Sequence, residues 1–149
     1  MSLILSRSCE YGIQATFYIS LNISDELLSI KDISTKLNIP SPYLAKILQN
    51  LSKRGILSST KGPNGGFRLG RSAEMITVKD IVESIDGFNS FEQCFLGFEK
   101  CHGTNKCPIH DTWVDIKKRI IDSIYSKSIA DFGPDIKSHV DALAKQIFY

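Results

Sequence analysis

The chain has 149 residues, 42% of them hydrophobic and 23% charged, which suits one domain, or one domain with an appendage, and a core that needs no covalent staples. No charged segment leading into a short apolar run opens it and no apolar stretch approaches a membrane span, so it reads as a cytoplasmic protein without a membrane partner. The net charge of +2 conceals an asymmetry: residues 36–71 hold seven basic side chains and no acid, so the remainder carries −5, a distribution that can mark nucleic-acid contact.

From about Ser8 to Leu21 the spacing predicts a helix with Ile13, Phe17 and Leu21 inward, followed by a polar break at Ser24-Asp25-Glu26. Ser29 and Asp32 have capping-box spacing ahead of Ile30, Ile33 and Leu37, so a short helix is expected over 30–37, stopped by Asn38 and Pro40. Ser41 is expected to cap a second helix with Pro42 in its first turn, Leu44, Ile47, Leu48 and Leu51 inward, and Gly55 beyond its end. Its outward face then presents Tyr43, Lys46, Gln49, Asn50 and Lys53: hydrogen-bonding and cationic groups without an acid, as a reader of the DNA major groove requires.

After Gly55 the period changes. Ile56–Thr60 is rich in β-branched and small residues, 61–66 is a glycine-rich turn, and Phe67-Arg68-Leu69 alternates, which predicts a two-stranded hairpin. Lys61, Asn64 and Arg68 on this hairpin suit phosphates or a narrow groove. Helix, turn, helix and basic hairpin make a winged helix-turn-helix, and Ser41, Tyr43, Lys46, Gln49, Asn50, Lys53, Lys61, Asn64 and Arg68 are the candidate contacts to double-stranded DNA. Thr77 and Asp80 repeat the capping-box spacing before Val78, Ile81, Val82 and Ile85, a helix ended by Gly87.

Residues 88–107 show no sustained period, and a loop of that length in a compact chain usually carries function or is disordered; Phe88, Phe91, Phe95 and Phe98 argue against disorder. They would either make a partly dry pocket or anchor the loop to the body. Three of the four cysteines, Cys94, Cys101 and Cys107, fall here, and in a reducing compartment such a cluster binds metal or does chemistry rather than cross-linking. Six and five residues separate them, too open for a zinc knuckle but suited to an iron–sulfur cluster. The fourth ligand is His110, three positions after Cys107 on a helix expected to begin at Pro108, or else Glu10. Trp113, Ile116, Ile120 and Ile124 keep one stripe along that long helix, and Val114, Ile121 and Ile129 widen it beyond the need of one small core, which predicts a homodimer on a palindromic operator. A last helix from near Pro134, burying Val140, Leu143, Ala144 and Ile147, would fold back against it.

Leu5-Ser6-Arg7, Ser41-Pro42-Tyr43-Leu44, the wing from Lys61 to Phe67, the loop cysteines and Cys107-x-x-His110-x-x-Trp113 together resemble the Rrf-type bacterial regulators, the family of IscR, NsrR and CymR. The resemblance implies a homodimeric winged-helix transcription factor, expected to be a repressor, whose iron–sulfur cluster tunes DNA binding. It places thiolate ligands at Cys94, Cys101 and Cys107 and the histidine ligand of IscR-like members at His110, favouring a 2Fe-2S cluster. In the nitric-oxide sensors an acidic residue of the partner subunit completes a 4Fe-4S cluster, and Glu10 stands in that place here. The family's usual gap is five residues on both sides, so the six between Cys94 and Cys101 is a departure. Cys9 matches no ligand position and is expected to be structural.

The expected architecture is therefore mainly α with a small β-hairpin wing: 1–87 a winged helix-turn-helix, 88–107 a cluster-binding loop, and 108–149 a dimerisation helix and C-terminal helix. A zinc-bound or clusterless winged-helix regulator is the alternative. A small thiol or electron-transfer enzyme ranks below both, because the chain has no CxxC pair, nucleotide loop or nucleophile–base arrangement.

Overall fold

A computed structural model describes residues 4–22, 24, 26–87, 93–98, 106–133 and 135–145, with side-chain environments as far as 142. Helix α1 (Arg7–Ser20) is capped by Ser6, whose hydroxyl accepts from the Cys9 amide at 3.0 Å. Its buried face is Cys9, Gly12, Ala15, Thr16, Phe17 and Ile19, while Ile13 and Leu21 are only half-buried. The expected stripe does face the core, with Ile13 and Leu21 packed at its edge, and small residues with little hydropathy signal widen the buried face where neighbouring helices come close. A methyl group at Gly12 would meet Ile85 Cδ1 at 2.3 Å.

Helix α2 (Ile30–Leu37) starts where expected, with the Ser29 hydroxyl accepting from the Asp32 amide, and ends on Asn38 in the left-handed region at φ 54°. Helix α3 (Ser41–Lys53) buries Leu44, Ile47, Leu48 and Leu51 as its period predicts, and Gly55 follows at φ +75°. Its cap differs from expectation. Pro40 occupies that position, Ser41 is already helical, and the Ser41 hydroxyl donates to Ser34 Oγ at 2.9 Å, tying α3 to α2.

Strands β1 (Leu57–Thr60) and β2 (Gly66–Leu69) form the antiparallel wing, with Leu57 opposite Leu69 and Thr60 opposite Gly66. The segment before α2 extends it through Leu28, which exchanges both backbone hydrogen bonds with Phe67 at 3.0 and 2.8 Å. That close approach requires Gly66, since a Cβ there would lie 2.5 Å from the Leu28 carbonyl oxygen. Helix α4 (Val78–Ile85) carries the full reciprocal box between Thr77 and Asp80 and ends before Gly87 at φ +74°. One core joins α1 to α4 and the wing, built from residues such as Ile33, Leu44, Leu48, Leu51, Ile56 and Ile81.

Helix α5 (His110–Ile120) continues through a π-helical turn (Ile121–Tyr125). It begins later than expected: Cys107 to His110 form a turn in which the His110 amide donates to the Cys107 carbonyl at 3.0 Å. Ile129 does not extend this helix either. A capping box between Ser128 and Asp131 starts a short 3-10 helix (Ile129–Phe132) that turns Ile129 into the main core. Helix α6 (Asp135–Lys145) packs on α1 and α2 rather than back on α5, fastened by Lys36 Nζ to Asp141 Oδ1 at 2.9 Å. Val140 is buried as expected; Pro134, Ile147 and the side chains of Leu143 and Ala144 lie outside the described residues. Among the described residues no helix is long and apolar enough to cross a membrane.

Candidate metal centre and nucleic-acid interface

Helix α3 and the wing turn one face outward. Tyr43, Lys46, Gln49, Lys53, Lys61, Asn64 and Arg68 are exposed and Ser41 is half-buried, so cations of the acid-free run reach solvent on both the helix and the hairpin. Besides Ser41, which bonds to Ser34, the candidate contacts Asn50 and Tyr43 also have work inside the protein. Asn50 is half-buried, and its amide donates to the Ser84 carbonyl of α4 at 2.7 Å. The Tyr43 hydroxyl shares a hydrogen bond of 2.5 Å with Ser8 Oγ, and its ring meets Tyr11 edge-on at 5.7 Å. Both contacts fix α3 against the start of α1 and the end of α4. Arg71, the last cation of the basic run, is paired with Asp80 at 3.2 Å.

The end of α4 is also joined to α1. Asp86 accepts from the Ser6 amide at 3.0 Å and from the Ser6 hydroxyl, so the residue before Gly87, where the cysteine loop departs, holds the cap of the first helix. Neither Asp86 nor Ser6 carries a motif that sequence spacing could have exposed, because they stand 80 positions apart.

Cys94, Cys107 and His110 line one cleft of about 30 Å³, walled by Gln93, Phe95, Ile109, Trp113, Val114 and Lys117. Both thiols are half-buried. Cys101, His102, Phe88 and Phe91 lie outside the described residues. Of the loop aromatics among the described residues, Phe95 lines the cleft and Phe98 takes neither role expected of it. Phe95 packs on Trp113 with ring centroids 5.3 Å apart, whereas Phe98 is 65% exposed. Trp113 closes the cleft from α5 and donates from Nε1 to the Gln93 carbonyl at 3.1 Å, next to Cys94. Glu10 sits on α1, bridged to Arg7 at 3.2 Å.

Among the described residues no three His, Cys, Asp or Glu side chains converge as a metal-binding group. The donor chemistry nevertheless fits iron in a soft environment: two thiols and an imidazole, with no carboxylate among the described lining residues. Lys117 was not singled out by sequence reading. Its spacing of seven from His110 and four from Trp113 is the signal that could have found it.

Known proteins are similar to this chain in sequence or in fold. An HTH-type transcriptional regulator of Aquifex aeolicus is 37% identical over 131 residues, covering 87% of this chain and 90% of its own length. The HTH-type transcriptional regulator IscR of Yersinia pseudotuberculosis is 30% identical over 127 residues, covering 85% of this chain and 77% of its own. Among solved structures, CymR, the global cysteine regulator of B. subtilis, matches with a TM-score of 0.68 at 20% identity, over 86% of this chain and 94% of that one, a likeness of fold alone. Residues 5–135 match the model of the Rrf2 family, described as iron-dependent transcriptional regulators, and the chain belongs to the Rrf2 family of transcriptional regulators.

Proposed function

We propose that this chain is a cytoplasmic, homodimeric repressor that binds a palindromic operator in double-stranded DNA and is controlled by an iron–sulfur cluster. In this reading residues 1–87 read DNA, 88–107 hold the cluster and 108–149 pair the protomers. Cys94, Cys101 and Cys107 supply the thiolates and His110 the fourth ligand of a 2Fe-2S centre, with Glu10 and a 4Fe-4S centre as the alternative. The observation that carries it is the shared cleft of Cys94, Cys107 and His110 on a chain whose helix α3 and wing expose Lys46, Lys53, Lys61 and Arg68. When bound, the cluster supplies a centre whose charge and integrity respond to oxidants and nitric oxide.

The protein's own side chains give that centre a route to the reading head. The loop leaves α4 at Gly87, Asp86 grips Ser6 of α1, and the Ser84 carbonyl holds Asn50 of α3. A shift of the loop therefore bears on both helices that orient Tyr43, Lys46, Gln49 and Lys53. A coupling of about 1–3 kcal/mol is enough for a useful switch. Lys61, Asn64 and Arg68 bring the wing to phosphates or the minor groove.

Anaerobically isolated protein should be coloured, Cys101→Ala should lose the visible bands, and removing the centre should change operator affinity. Lys46→Ala and Lys61→Ala should each weaken binding about tenfold, Lys61→Ala equally across sequences and with a reduced salt slope. Colourless protein with stoichiometric zinc, or affinity indifferent to the loss of iron, overturns the cluster reading; full binding by both lysine variants overturns the assignment of the reading face.

A further inference from the structure

The cationic face does not end with α3 and the wing. Arg7 opens α1, outside the basic run of the sequence, and its side chain is 61% exposed. Three contacts carry it to the side of the molecule on which Tyr43 stands. Its guanidinium lies over the ring of Tyr11, one helical turn further along α1, at 5.7 Å from the centroid. The Tyr11 ring meets the Tyr43 ring edge-on at 5.7 Å, and Ser8 Oγ shares a hydrogen bond of 2.5 Å with the Tyr43 hydroxyl. Between the start of α1, the outer face of α3 and the end of α4 runs an open groove of about 420 Å³, lined by Ser6, Ser8, Tyr43, Lys46, Asn50 and Asp86 among others. Two acids stand nearby, and each is committed. Asp86 accepts from the Ser6 amide and hydroxyl, and Glu10 engages Nη1 of Arg7 at 3.2 Å.

We propose that Arg7 is a further DNA contact, made to a phosphate of the strand that borders the groove read by α3, so that α1 grips the operator beside α3 and the wing. This rests on the DNA-binding part of the reading above and is independent of its iron–sulfur part. At most two steps of 5.7 Å separate the guanidinium from the Tyr43 ring, a reach close to the roughly 12 Å width of the major groove. With α3 in the groove, Arg7 therefore stands at its edge, where the phosphates run. The Tyr11 ring keeps the side chain on this flank, and the Ser8–Tyr43 bond holds the start of α1 at a fixed offset from the reading helix. A guanidinium offers five N–H donors in a planar fork that suits a phosphate, and an ion pair with so exposed an arginine is a weak hold against that exchange. Such a contact fixes the register of the protein on the duplex without reading a base.

The test measures binding of the full-length protein over a range of salt to two probes: a duplex that the wild type selects from a random pool, and a scrambled duplex of the same composition. Arg7→Gln should weaken binding to both about tenfold and lower the salt slope by about one for each protomer bound, since each loses one phosphate contact. Arg7→Lys, which keeps the charge, should retain the slope. Ethylation interference gives a second readout: wild-type binding should be blocked by ethylation of a phosphate at the edge of the half-site, and Arg7→Gln should be indifferent to it. Unchanged affinity and slope in Arg7→Gln overturn the proposal, as does equal loss of slope in the Gln and Lys variants. A loss confined to the selected duplex overturns it too, because Arg7 would then read a base. Weakened binding by Lys46→Ala and Lys61→Ala beside an unaffected Arg7→Gln fails Arg7 alone, whereas a wild type that selects no duplex fails the DNA-binding reading itself.

Discussion

Cys9 shows how differently four thiols can behave in one chain. It is fully buried against Val78, Val82 and Tyr125, and its pKa is pushed up to about 12, first by burial, then by the Asp86 charge, its hydrogen bond and Glu10. Burial, with Cys9 and Asp86 nearby, also pushes the Tyr125 hydroxyl up. Both groups keep protons in the folded state that the unfolded chain releases sooner, so their contribution is complete below the ordinary thiol value of 9.0 and is lost as pH rises towards 12. Thermal midpoints measured between pH 8 and pH 11 should therefore fall with pH, and fall less steeply in Cys9→Ala. A Cys9→Ala curve parallel to the wild type would remove Cys9 as a source of the alkaline loss. The same burial leaves Cys9 a neutral, inaccessible thiol, consistent with its absence from the proposed ligand set.

Along the elements, the division between reading and holding can be tested at two adjacent positions of α3. Gln49 is exposed, while the Asn50 amide is committed to the Ser84 carbonyl. Asn50→Ala should cost about 1–2 kcal/mol of stability by leaving that carbonyl without its donor, whereas Gln49→Ala should leave the denaturant midpoint unchanged and weaken DNA binding. Equal midpoints for the two variants would mean that Asn50 belongs to the reading face alone. Helical period revealed that both residues lie off the Leu44–Leu51 stripe, but it carries no information on where α4 runs, and so could not separate them. Local signals served well where the partner is local: Thr77 and Asp80 make the reciprocal cap that their spacing predicts, and Gly55 and Gly87 terminate helices at positive φ. They served poorly where the partner is distant. Pro108 looks like a helix start, yet the chain makes one more turn before α5. The docking of α6 depends on Lys36 and Asp141, 105 residues apart. At the candidate metal site, Cys94, Cys107 and His110 were legible as candidate soft donors and share one cleft, whereas the bond from Trp113 to the Gln93 carbonyl, 20 residues away, could not be read from spacing.

At the scale of the whole molecule, α5 is out of proportion to the domain that carries it. None of its residues is buried, and Val114, Ile116 and Ile124 on this helix and its π-helical extension are 44%, 44% and 50% exposed. An apolar cleft of about 250 Å³ beside it is lined by Ile4, Leu5, Ile13, Phe17, Ile120 and Ile124. Ile116 and Ile124 share a helical face with Ile120 of this cleft, apolar surface that is costly to leave in water, and a two-fold partner would cover the same patch on both copies at once. Each substitution in such an interface counts twice. Ile116→Glu with Ile124→Glu would bury four carboxylates per dimer without partners, at about 1–3 kcal/mol for each group, so association should weaken at least a hundredfold. The side chains are exposed in the single chain, so its far-ultraviolet circular dichroism should not change. Sedimentation equilibrium should then find dimers of the parent protein and monomers of the double variant. The monomers should still bind one operator half-site, but without the affinity gained by linking two reading heads. A double variant that sediments as a dimer would move the pairing surface away from α5.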